Sequence, residues 1–114
     1  MTAIDERVGT TLDTASLLGD WRNTSSAGRI ARIVVAEGEV RCDAGTATPS
    51  FFAFEFDSGQ AGAFYALFDD GGVEIRMQAN VKLGVLVVVT LTRFHDGSGR
   101  SNHFNREFYY RAAR

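Results

Sequence analysis

The chain has 114 residues, 45% of them hydrophobic and 23% charged, which fits one globular domain and excludes a disordered or collagen-like chain. Twelve basic residues against fourteen acidic ones leave a net charge of −2. That balance excludes the basic surface a nucleic-acid binder needs, and the single Cys excludes an internal disulfide framework or a Cys-cluster metal site.

Met1–Thr10 reads MTAIDERVGT, without the basic start and apolar stretch of a secretory signal. The longest apolar run, Val85–Val89, is far too short for a membrane span. The expectation is a cytoplasmic protein with no membrane partner. A loose tail is expected over 1–12 and one β-barrel domain over 13–114. Asp13 or Thr14 would cap a short helical turn through Ala15–Leu18 that Gly19 stops.

Downstream, Gly-rich turns separate segments rich in Val, Ile, Phe, Tyr and Thr. Strands are predicted near 19–24, 29–36, 39–43, 51–57, 63–68, 73–80, 85–94 and 101–111. Val73-Glu74-Ile75-Arg76-Met77-Gln78-Ala79 alternates cleanly, as a half-buried strand must. Eight strands joined by tight hairpins predict an all-β, antiparallel up-and-down barrel, whose closure removes exposed edges. A flattened sandwich of the same strands is the alternative.

Leu17-Leu18-Gly19-Asp20-Trp21-Arg22-Asn23 carries Gly-x-Trp at the start of the first strand. With Phe108-Tyr109-Tyr110-Arg111 at the other end, it resembles the calycin superfamily of lipocalins, fatty-acid-binding proteins and avidins. The resemblance implies a closed barrel end built on Trp21, with Arg111 packed across it. Asn23 matches an avidin pocket position, but one Trp leaves no aromatic wall for biotin. Fatty-acid-binding proteins use an Arg and a Tyr on their last strand in the relation of Arg106 to Tyr110.

The aromatic load is the main candidate for a site. Phe52 and Phe54 share one strand face, Phe64 and Phe68 another, and Phe104, Phe108 and Tyr110 a third. Pointing inward, they would line an aromatic cavity or fill a solid core. Arg106 on the Phe108 face would hold a ligand carboxylate. The opposite parity turns His103, Asn105, Glu107 and Tyr109 inward instead.

The expected function is a binding protein for a small hydrophobic or aromatic molecule. Asn23, Arg106 and Tyr110 would supply polar contacts, and Phe52, Phe54, Phe64 and Phe108 the walls. One alternative is a cofactor-free cyclase or isomerase of a bacterial natural-product pathway; another is a structural or assembly module with a filled barrel. No cofactor is expected, and no metal-ligand spacing or catalytic triad pattern is found. Phe51, Ala53, Tyr65, Leu67 and one face of Val85–Leu91 predict an apolar outer patch, and with it a homodimer or higher homo-oligomer.

Overall fold

The computed structural model describes residues 13–53, 62–95, 97, 99 and 101–112. Among the described residues nine strands form one antiparallel sheet: β1 Gly19–Asn23, β2 Arg32–Ala36, β3 Glu39–Cys42, β4 Gly45–Ala47, β5 Ser50–Phe52, β6 Ala63–Asp69, β7 Val73–Lys82, β8 Val85–Phe94 and β9 His103–Arg111. The spatial order is β4-β3-β2-β1-β9-β8-β7-β6-β5, so the first and last strands pair near the middle. The sheet curls into a half-barrel whose edge strand β4 lies beside β6 without a ladder between them.

A closed barrel of eight strands is therefore corrected to nine strands and an open seam. The extra strand arises because Cys42 pairs with Gly45 across a tight turn, sending Gly45–Ala47 back along β3. Gly45 takes φ +123, a conformation that L side chains rarely adopt. Pro49 then separates β4 from β5, and without an N–H it contributes no ladder donor at the seam.

The expected N-terminal helical turn is also corrected, since no helix is found among the described residues. Thr14 O accepts hydrogen bonds from Leu17 N (2.9 Å) and Leu18 N (3.3 Å), which makes one turn. A single turn gains too few backbone bonds to nucleate a helix. Asp13 Oδ1 accepts from Ala15 N at 3.0 Å, and the Thr14 hydroxyl donates to Glu37 at 3.3 Å, which ties the turn to the β2–β3 hairpin. The expected tail over 1–12 lies outside the described residues.

Alternation decides which side chains enter the core. Trp21, Ile33, Val35, Val40, Phe64 and Met77 are buried on the concave face, with Leu86, Val88 and Tyr109 from the last two strands. Burying such surface is the dominant favourable term in folding, at roughly 25 cal/mol per Å². At the end of the half-barrel formed by Gly19, Lys82 and Arg111, Leu17 and Trp21 are fully buried and fill the interior.

β7 and β8 meet through a two-residue loop, because Lys82 pairs with Val85. Leu83 and Gly84 take φ 53 and φ 80, the left-handed pair of a hairpin turn that favours Asn-Gly. Leu83 is 94% exposed, so it contributes almost no packing to offset its strain. Leu83→Asn is expected to raise stability by about 1 kcal/mol, seen as a higher urea midpoint. A lower midpoint would count against this turn.

Candidate functional site

The end of the half-barrel opposite Trp21 is not filled. A cleft of about 350 Å³ opens there, lined by Ile30, Val73, Ile75, Phe94, Thr90 and Thr92, with Arg29, Asp43 and Ala44 at its margin. A second hollow of about 120 Å³ shares Ala44, Val73 and Ile75 and extends to Phe68 and Asp70. The β7–β8 register explains this composition. Val73 pairs with Phe94 and Ile75 with Thr92, so the concave side of this hairpin delivers aliphatic, aromatic and hydroxyl groups to one end.

β9 adds a polar row beside them. His103 pairs with Thr92 and Asn105 with Thr90, and Glu107 and Tyr109 follow on the same face. The Glu107 carboxylate accepts from the Arg29 amide (2.8 Å), the Asn23 side-chain amide (3.0 Å) and the Tyr109 hydroxyl (3.3 Å). Ile30 O accepts from both Tyr109 Oη (2.7 Å) and Asn23 Nδ2 (3.0 Å). The network straps the 24–31 loop, and the cleft wall it carries, onto β9.

Two pKa shifts follow. Burial opposes ionisation of Glu107, but hydrogen bonds from the Arg29 amide, Asn105, the Ile30 amide and Asn23 outweigh it and hold the carboxyl below its ordinary value. Burial, reinforced by the neighbouring Glu107 charge, pushes the Tyr109 phenol well up, so it stays a neutral donor. Burial also pushes the Cys42 thiol up, which disfavours a reactive thiolate.

Several expected site residues fall elsewhere. Arg106 is exposed on the convex face, its guanidinium 5.4 Å from the Phe108 ring, and Phe108 and Tyr110 are 42% and 51% exposed. All three leave the proposed pocket because Tyr109, between Phe108 and Tyr110, is fully buried and fixes the parity of β9. Phe52 is also corrected to the opposite face from Phe64. The pairing Phe51↔Phe64 turns Phe51 inward, with the two rings edge-on at 6.1 Å. That removes Phe51 from the expected outer patch.

Phe64 is fully buried in the core, and Phe54 lies outside the described residues. Asn23 is engaged with Glu107 and Ile30, so it supports the site instead of facing it. Trp21 is fully buried, and the Arg111 guanidinium lies 4.5 Å from the centre of its ring.

Thr90, Thr92, Ile75 and Phe94 carry no site signal in the sequence, whereas Glu107 enters through the opposite parity of the last strand, the one the structure adopts. His95 lies on the outer rim with Nε2 3.2 Å from Glu74. Among the described residues no cluster of three or more His, Cys, Asp or Glu is placed to hold a metal ion. No helix among them is long and apolar enough to cross a membrane.

Comparison of the chain with protein-family models, with curated proteins and with solved structures finds no match.

Proposed function

We propose that the protein binds a small, largely apolar molecule in the open end of the half-barrel. The observation that carries this reading is the cleft of about 350 Å³ set opposite the filled Trp21 end. Its size falls at the lower end of ligand pockets, roughly 300–1,000 Å³, which are mostly apolar with a few placed polar groups. Ile30, Val73, Ile75 and Phe94 supply apolar contact, and the Thr90 and Thr92 hydroxyls can donate or accept one hydrogen bond each to orient the molecule. An anionic head group loses its proposed Arg106 partner and is no longer part of the reading.

The test is a titration with the neutral, apolar fluorophore N-phenyl-1-naphthylamine. Saturable binding is expected, and Ile75→Trp, which pushes an indole into the cleft, should weaken it at least about tenfold, or ~1.4 kcal/mol. Binding unchanged by Ile75→Trp would overturn the assignment.

One observation favours the cyclase or isomerase reading. His103 packs edge-on against the cleft residue Phe94 at 5.5 Å, and its Nε2 is buried with no hydrogen-bond partner among the described residues. Behind Phe94, that nitrogen is the one buried side-chain polar atom among the described residues left without a partner, next to the cleft wall. That reading requires turnover to disappear in His103→Gln while dye binding persists.

A further inference from the structure

The convex side of β8 and β9 is apolar where a solvent-facing sheet should be polar. Val85, Val87, Val89 and Leu91 project from β8 on this side and are only half-buried. Beside them on β9, Phe104 is 69% exposed, Phe108 42% and Tyr110 51%. Tyr65 and Leu67 of β6 extend the field beyond β7. The apolar rows of β8 and β9 lie side by side, and the polar row Arg76, Gln78, Asn80 and Lys82 of β7 separates them from Tyr65 and Leu67; contiguous exposed apolar rows of this kind mark an interaction surface.

We infer that this face is the contact between two copies of the chain, related by a two-fold axis lying in the interface and crossing the strands at the Val88–Glu107 pair. β8 is hydrogen-bonded along both sides, and β9 along β8 and, over Tyr109–Arg111, to β1, so what this region offers is mainly a sheet face and not an edge. A pleated plane of this kind packs best on another sheet face, about 10 Å away. The residue order makes the face complementary to itself. Rotation about that axis sets Val87 against the partner's Val89 and Val85 against the partner's Leu91.

On β9 the same rotation sets Phe104 against the partner's Tyr110. Arg106 then meets the partner's Phe108, a ring of the kind it already covers in its own chain, and Arg93, the other charge on this face, lies at the end of β8 paired with Glu74 at 3.7 Å. Like charges approach only at the β7 rim, where Arg76 faces the partner's Lys82 and Glu74 already neutralises Arg76 at 3.1 Å. Strands β6 to β9, seven to ten residues each at ~4.8 Å spacing, span roughly 600 Å² before side-chain relief is added, with the polar β7 row inside that footprint. A stable dimer needs about 800 Å² per partner, so the face is of the right order.

Light scattering on the full chain tests the inference. The parent is expected to show twice its 12.4 kDa chain mass at micromolar concentration. Phe108→Arg should weaken the dimer at least about a hundredfold, because it sets a second guanidinium against the partner's Arg106 with no acid to neutralise it. Phe104→Ser, at the most exposed ring of the face, is the milder variant and should weaken it about tenfold with far-UV circular dichroism unchanged. Leu83→Asn, on a turn outside the face, should leave the mass at the dimer value. A parent that stays at 12.4 kDa overturns the inference, and so does a dimer that both Phe variants leave intact.

Discussion

Trp21→Ala is expected to cost about 3–5 kcal/mol, the range for truncating a large aromatic in a core. The indole is fully buried, its Nε1–H donates to Leu17 O at 2.9 Å, and the Arg111 guanidinium stacks 4.5 Å from its centre. Arg111 in turn donates to the carbonyls of Ser16 and Leu18. Removing the ring therefore opens a void, strands the Leu17 carbonyl and frees the turn that covers this end. A domain holding 5–15 kcal/mol in total would lose about a fifth or more of it. Because Trp21 is the only tryptophan, the urea midpoint is best followed by far-UV circular dichroism. A midpoint equal to the parent's would show that the ring contributes nothing to the core.

Replacing Glu107 should have the next largest effect. Glu107→Leu removes the acceptor for the Arg29 amide, the Asn23 amide and the Tyr109 hydroxyl together, with an expected cost of about 2–4 kcal/mol. The loss depends on pH. Hydrogen bonding to the ionised form holds the folded-state pKa below the unfolded one, overcoming the opposing effect of burial. The folded state therefore binds fewer protons, and the contribution is complete above an ordinary Glu pKa of about 4.3. It fades as pH falls through the depressed folded value. Glu107→Gln should accordingly be less stable than the parent near neutrality, with the gap closing in acid. A gap that stays constant from neutrality down to pH ~3 would mean that the carboxylate charge has no part in it.

Strand rhythm and turn chemistry made most of the architecture legible. The alternation of Val73–Ala79 and the Gly-rich turns were enough to place β6, β7 and β8 to within a residue or two. The β3–β4 hairpin was hidden because Gly45 and Pro49 together read as one long turn, although Gly45–Ala47 still pairs with β3. The site was lost to a parity conflict visible in the sequence itself. Arg111 and Arg106 differ by an odd number of positions, so one regular strand cannot point both toward the interior. Packing Arg111 over Trp21 commits His103, Asn105, Glu107 and Tyr109 to the concave face and sends Arg106, Phe108 and Tyr110 out. Aromatic content argued the other way, because exposed Phe is uncommon unless something covers it.

The pairing of β1 with β9 has a kinetic consequence. Strands β1–β4 form a series of local hairpins, and β6–β8 another, but only β9 bridges the two sets by hydrogen bonding. Its contact from Arg111 back to Ser16 spans 95 positions, whereas the hairpins close over a handful. Loop-closure entropy rises with that separation, and sheets dominated by distant pairings fold in milliseconds to seconds. The two hairpin arrays would then form early and search for each other, and docking of β9 would be the step that sets the pace. Until it docks, the apolar strand β8 keeps one open edge, which makes the unfinished sheet the species most exposed to wrong association.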